Sequence, residues 1–218
     1  MSDTRRHFIT TVAAGTAAVF FSPPASAQRR PPDAGIDYRV LERPLPTESA
    51  GKIEVVEFFW YGCPHCYAFE PALIAWIKRA PADVVVRRLP ALFNPTWVQH
   101  ARLYHALEAL GEVERLHQKC FDAIHQDRIP MLQEAEMIEW AARNGVDRAK
   151  FANALQTASP ADKLEAINRA IRGYGIDGVP AMGINGRYLT SPAIVGSHEA
   201  CLQVTDYLVG LERRGRRA

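Results

Sequence analysis

The chain has 218 residues, and its 26 Lys and Arg against 24 Asp and Glu leave a net charge of +2. That balance excludes a strongly basic nucleic-acid binder or membrane-surface protein, and no apolar run reaches the roughly 20 residues that a spanning helix needs. Four cysteines leave a disulfide staple, a metal site and a redox centre all open.

The first 27 residues carry a basic start, "TRRHFIT", a short apolar run, "VAAGTAAVFF", and a small-residue end, "PPASA". This is the pattern of a secretory signal, with cleavage expected after Ala27. Arg5 and Arg6 followed by His7, Phe8 and Ile9 fit a twin-arginine signal, although paired arginines are also ordinary in a general secretory one. An uncleaved signal serving as an anchor is the alternative. Export would place the four cysteines in an oxidising compartment, where disulfides persist. About 190 residues would remain, enough for one elaborated domain.

Downstream, "QRRPPDAG" reads as a linker, because adjacent prolines and a glycine offer little to a ladder or a helix. "IEVVEFFW", residues 53–60, is almost wholly apolar and rich in β-branched and aromatic residues, as a strand buried on both faces should be. From Pro64 the period becomes helical, with Phe69, Leu73, Trp76 and Ile77 on one face, a proline tolerated in the first turn and Pro71 expected to bend the helix. "DVVVRRLP", residues 83–90, returns to strand character, so the three elements predict a right-handed parallel βαβ unit. Between about Phe93 and Gly173 the pattern is helical, with breaks at Gly111, near Pro130, at Asn144-Gly145 and at Ser159-Pro160, which makes four or five short amphipathic helices. "VPAMGINGRYLT", residues 179–190, holds two strand-like runs around Asn185-Gly186, a two-residue hairpin signal. A last helix is expected from about Ser197 to Leu211, followed by a basic tail, "ERRGRRA", read as a solvated, frayed end.

Within this order the stretch "FFWYGCPHCYAF" places a CxxC at the end of the first long strand, on the turn into a helix, which is the arrangement of thioredoxin-like proteins. The fold class is therefore α/β: a thioredoxin-like mixed sheet flanked by helices, built from residues 28–91 and 174–218, with an all-helical insertion at 92–173. The position explains the chemistry. Cys63 falls at a helix N-terminus, where unpaired N–H groups and the helix dipole favour the thiolate. His65 brings a charge or a donor close by, and the Cys66 thiol can donate to the Cys63 sulfur. Stabilising the thiolate stabilises the reduced protein, so the disulfide becomes a stronger oxidant by about 30 mV for every 1.4 kcal/mol.

"EFFWYGCPHCYAFEP" together with "GVPAMGINGRYLTSP" closely resembles the DsbA family of bacterial periplasmic thiol:disulfide interchange proteins, over nearly the whole mature chain. That family is itself the standing example of an acidified cysteine and an oxidising couple. The resemblance implies a thioredoxin fold split by a helical insertion and a catalytic Cys63-Pro64-His65-Cys66 motif, with Cys63 the exposed nucleophile and Cys66 buried and resolving. It also implies a cis Val179–Pro180 bond, which would turn the Val179 backbone towards the cysteines and let it bind an extended substrate as a short added strand. The implied reaction is donation of the Cys63–Cys66 disulfide to thiols of newly exported proteins through a mixed disulfide. Reoxidation would come from DsbB, an inner-membrane quinone-linked partner, with no soluble cofactor, no metal and a monomeric enzyme in the periplasm. Glu57 aligns with an acidic residue that the family buries beneath the active site, and Arg88 with its basic partner. A proton relay for Cys66 and a plain ion pair are both open for Glu57.

Cys120 lies at helical spacing with Leu116 and Ile124, and Cys201 with Val204, Leu208 and Leu211, so each is expected to pack as a small hydrophobe, a bridge between them being the alternative. A zinc module would need two more ligands near the CxxC, and His100 and His105, five apart, do not share a helix face and are expected at the surface. A purely structural Cys63–Cys66 bridge would constrain almost nothing, because so short a loop removes little chain entropy. The runner-up is a reductase or isomerase on the same fold. Isomerases of that compartment carry a dimerisation module, however, and only about 25 residues separate the expected cleavage site from Ile53. Gly183 stands where the family leads one to expect a larger residue, which would alter the substrate groove.

Overall fold

The computed structural model describes residues 30–216, so the expected signal at 1–27 lies outside the described residues. Five strands form one mixed sheet: β1 (Arg39–Val40), β2 (Ile53–Phe59), β3 (Val84–Pro90), β4 (Ala181–Ile184) and β5 (Tyr188–Thr190). Their spatial order is β1-β5-β4-β2-β3. β2 and β3 are parallel with Glu57 opposite Arg88, while β2–β4, β4–β5 and β1–β5 are antiparallel. The crossover is α1 (Pro64–Arg79), in which Pro71 is accommodated without ending the helix.

β2 is almost wholly apolar, Glu54 and Glu57 excepted, because both of its faces are covered. On one face Ile53 and Val55 pack with Phe69, Leu73 and Trp76 of α1 and with Cys201 and Leu208 of α8 (His198–Gly215), the helix that follows the one-turn α7 (Pro192–Val195). On the other, Val56 and Phe58 meet Ile167, Ile171 and Tyr174 of α6 (Ala161–Tyr174). β3, at the sheet edge, is only partly buried up to Leu89.

Four further helices precede α6: α2 (Pro95–Ala109), α3 (Val113–His125), α4 (Glu134–Arg143) and α5 (Arg148–Thr157). Each expected break falls between two successive helices of the series α2 to α6. Local chemistry sets their starts: the side chain of Asn94 accepts from the Trp97 N–H with Pro95 in the first turn, and that of Asp147 accepts from the Lys150 N–H. Leu103 and Leu107, Leu116 and Phe121, Met137, and Phe151 and Leu155 form a second core that also takes in Phe59, Tyr61, Cys63 and Cys66. The CxxC turn thus lies where the sheet meets the helical core.

Several local expectations are corrected. The basic tail is not frayed as far as the described residues go, to Arg216: α8 runs to Gly215, Arg213 donates two hydrogen bonds to Asp83 at 2.7 Å, and Arg216 donates to the carbonyls of Gly51 and Lys52 at 3.0 and 2.6 Å. The Asn185-Gly186 turn forms with positive φ at both residues, 49° and 67°. The ladder resumes at Ile184 opposite Tyr188, however, so three residues separate the paired positions rather than two. The turn is held from outside, since the Gly186 N–H donates to the Tyr174 hydroxyl at 3.0 Å and a Cβ on Gly186 would lie 2.2 Å from the Leu45 carbonyl oxygen. His100 and His105 are buried, not at the surface. They lie within the helical packing, His100 Nε2 2.9 Å from the Pro130 carbonyl and His105 Nδ1 2.7 Å from the Ser159 hydroxyl. Gly183 does not shape a substrate groove: a Cβ there would lie 2.5 Å from the Tyr174 ring, in the core beneath α6. Cys120 and Cys201 are buried free thiols in different cores.

Candidate active site

After β2 the chain turns through Trp60, Tyr61 and Gly62 into α1. The Cys63 N–H donates to the Trp60 carbonyl at 3.0 Å, and the Trp60 indole folds back so closely that a Cβ on Gly62 would be 2.3 Å from it. Only glycine fits there. Cys63 is the N-cap of α1, in extended backbone conformation with Pro64 next in the helix. In that position the first-turn N–H groups point at its sulfur instead of at a capping oxygen.

The two thiols are held in opposite protonation states. Cys63 is acidified to about 6 from an ordinary 9.0, chiefly by a hydrogen bond from the Cys66 thiol; burial opposes this, and the N–H groups of Cys66 and His65 and the charge of His65 assist it. Burial pushes Cys66 far above 9.0, and its hydrogen bond to Cys63 pushes the same way. Cys66 is fully covered, and Pro64 and His65 are exposed. Cys63 is less open than an exposed nucleophile, at 8% accessibility, because the Val179 carbonyl lies over it, 3.5 Å from Sγ. The Val179–Pro180 peptide is cis.

Beside the sulfurs runs a groove of about 540 Å³, bordered by His65, Ile176, Val179, Pro180, Pro192 and His198. A larger cavity of about 1320 Å³ lies elsewhere and reaches Glu70, Arg88 and His117 but neither cysteine. Neither cysteine lines either space, but the smaller groove is bordered by His65 of the motif and by Val179, whose carbonyl contacts the Cys63 sulfur.

Glu57 is fully buried on β2, and its register with Arg88 on β3 puts the two side chains on one face. Arg88 Nη1 comes within 3.1 Å of Glu57 Oε2, yet neither carboxylate oxygen of Glu57 is aligned to accept a hydrogen bond. Arg88 instead grips Glu70 of α1 with two bonds of 2.7 and 2.8 Å. Burial lifts Glu57 to about 8, Arg88 opposing and Glu70 adding to the rise. For Glu70, burial also works upward, but His117, whose Nε2 lies 3.6 Å from Oε2, and the two hydrogen bonds from Arg88 outweigh it and hold the carboxyl below its usual range.

Glu70, His117 and Tyr61 were not singled out from the sequence. Glu70 had a signal, since it falls on the same stripe of α1 as Cys66, Phe69 and Leu73, and a charge on an apolar stripe calls for a partner. Glu57, Glu70 and His117 have ligand-type atoms within 4.8 Å of one another, but the Arg88 guanidinium already supplies the positive charge that a metal ion would bring. Among the described residues, the one cluster with metal-ligand spacing includes neither Cys63 nor Cys66.

The comparisons with known proteins agree with this geometry. Residues 54–201 match the model of the DSBA-like thioredoxin domain. The chain belongs to the DsbA family. It is 38% identical to the thiol:disulfide interchange protein DsbA of Pseudomonas aeruginosa over 208 residues, covering 95% of this chain and 97% of that one. To the DsbA of Azotobacter vinelandii it is 39% identical over 211 residues, covering 96% and 98%. The crystal structure of the Pseudomonas aeruginosa DsbA superposes with a TM-score of 0.82 at 39% identity, covering 85% of this chain and 97% of that one. The oxidoreductase DsbA of Xylella fastidiosa gives 0.79 at 34% identity, covering 85% and 100%. As a DsbA-family protein with this fold, the chain is a thiol:disulfide oxidoreductase, and the activity that goes with the family is dithiol oxidation. Among the described residues no helix is long and apolar enough to cross a membrane.

Proposed function

We propose that Cys63 and Cys66 are the working pair of a periplasmic oxidase that hands its disulfide to newly exported proteins. A substrate thiolate attacks Cys63 of the disulfide, and Cys66 departs, leaving a mixed disulfide. A second substrate thiolate attacks the substrate sulfur, and Cys63 leaves as a thiolate that needs no proton. The observation that carries this reading is the split between the thiols: Cys63 acidified at a helix N-terminus, Cys66 buried and held protonated. In this reading Val179 and Pro180 border the substrate groove, Pro64 and His65 tune the nucleophile, and Glu57 exchanges a proton with Cys66.

The same exposed face would meet a DsbB-like quinone-linked reoxidase of the inner membrane. Residues 1–27 would be the export signal, and residues 92–173 a helical insertion in a thioredoxin-like domain formed by 28–91 and 174–218. The enzyme would act as a monomer. The test is the Cys63–Cys66 potential, measured against a glutathione buffer, together with the unfolding midpoints of both redox forms. A potential well above that of thioredoxin, with the reduced form more stable, is expected. A thioredoxin-like potential with a more stable oxidised form would instead mean a reductase or isomerase. Cys63→Ser should abolish thiol oxidation, and Cys66→Ser should accumulate mixed disulfides through Cys63.

A further inference from the structure

Two buried carboxylates flank one guanidinium in the interior, so the trio of Glu57, Glu70 and Arg88 carries a net negative charge unless one carboxyl keeps a proton. A low-dielectric site favours the neutral arrangement. Hydrogen bonding decides which carboxyl holds that proton. Arg88 Nη1 is the guanidinium nitrogen paired with Glu57, at 3.1 Å, and it has two hydrogens to give. One goes to Glu70 Oε2 at 2.8 Å. The other is directed at His117 Nε2, which Arg88 contacts closely. Neither remains for Glu57, whose two oxygens accept no hydrogen bond.

The same contact sets the state of the imidazole. Arginine can only donate, so Nε2 must present its lone pair and the ring hydrogen sits on Nδ1. Nδ1–H then donates to the Tyr61 hydroxyl at 2.8 Å. From Arg88 through His117 to Tyr61 the donors run one way. The aromatic rings of Phe59, Tyr61 and Phe121 surround the imidazole at 5.0, 5.1 and 5.2 Å between centroids, with Tyr104 of α2 at 5.9 Å. These rings hold the imidazole in place.

We propose that His117 is a positioning residue for the thiol chemistry: by accepting the second Nη1 hydrogen of Arg88 it withholds that hydrogen from Glu57, which makes Glu57 the carboxyl that stores the cluster's proton. This rests on the reading of Glu57 as the proton partner of Cys66. When Cys66 departs as a thiolate from the disulfide, the Glu57 carboxyl gives it the proton and becomes a carboxylate. When Cys66 later attacks a mixed disulfide during reoxidation, the proton returns from its thiol to Glu57.

The experiment is an infrared pH titration of the buried carboxylic C=O stretch in the reduced enzyme, the Glu57 band being assigned by its loss in Glu57→Gln, alongside the pH profile of oxidation of a model peptide dithiol. His117→Phe keeps the aromatic packing and frees the Arg88 hydrogen for Glu57. One charge-assisted bond gained should lower the Glu57 midpoint by about 1–2 pH units and carry the rate profile with it. His117→Gln, whose amide oxygen again accepts from Arg88, should restore both. If the Glu57 band is present but its midpoint is unmoved in His117→Phe, the proposal is overturned. Should that variant not fold, Tyr61→Phe, which removes the Nδ1 partner, must move the midpoint in the same direction, and no movement there overturns the proposal equally. Absence of any Glu57 band near neutral pH in the wild type would remove the proton relay itself, a distinct failure that takes this inference with it.

Discussion

Replacing Cys66 by alanine separates the contributions that acidify Cys63. The fall from 9.0 to about 6 corresponds to about 4 kcal/mol in favour of the thiolate, at about 1.4 kcal/mol per unit. Its first cause is the hydrogen bond from the Cys66 thiol, and a hydrogen bond to a charged group contributes about 1.5–3 kcal/mol. Cys66→Ala removes that donor and leaves the backbone N–H groups and His65 in place, so the Cys63 midpoint should rise by about 1–2 units. Thiolate absorbance against pH, checked by the alkylation rate, reads the midpoint directly. Linkage supplies a second readout. Because the folded midpoint lies below the unfolded one, the stabilisation of the reduced protein is complete above pH 9 and lost as pH falls through 6. Relative to Cys63→Ser it should amount to about 1.4 kcal/mol at pH 7, equivalent to about 30 mV of oxidising bias. In Cys66→Ala the onset of this gain should move up by the same 1–2 units, to roughly pH 7–8. A Cys66→Ala midpoint within a few tenths of wild type would refute the argument, leaving the backbone N–H groups and His65 as the cause.

Gly183→Ala should cost about 1–3 kcal/mol by overpacking against Tyr174, seen as a lower urea midpoint, while the Cys63 titration stays put; a changed substrate preference at unchanged stability would contradict the packing account. His105 is buried neutral, with its pKa lowered from 6.5 to about 3, so the unfolded chain binds a proton there that the folded one refuses, and stability falls as pH drops from 6.5 towards 3. His105→Gln should flatten the stability profile over that window by up to about 1.4 kcal/mol per pH unit, and an unchanged slope in acid urea titrations would count against it.

The parts of the molecule legible in the chain are those whose cause is local. The apolar run of β2, the helical period after Pro64, the breaks at Gly111, Asn144-Gly145 and Ser159-Pro160 and the turn at Asn185-Gly186 all follow from neighbouring residues and their backbone preferences. The CxxC chemistry was readable for the same reason, since the spacing that puts Cys66 within reach of Cys63 is also the spacing of a helix start. What failed were statements about surroundings. His100 and His105 looked like surface residues until the helices closed around them, and the arginine-rich tail looked frayed until Asp83 and the carbonyls of Gly51 and Lys52 were brought beneath it.

The sequence by itself determined the order of elements and the acidified thiol, because hydrophobic period, proline and glycine constraints and the helix N-terminus act within a few residues. Only the tertiary structure decided how the thiol's surroundings hold a proton. Glu57, Glu70, Arg88, His117 and Tyr61 come from two strands, two helices and a turn. Which carboxyl accepts from a guanidinium depends on distances of a few tenths of an ångström, set when those elements pack.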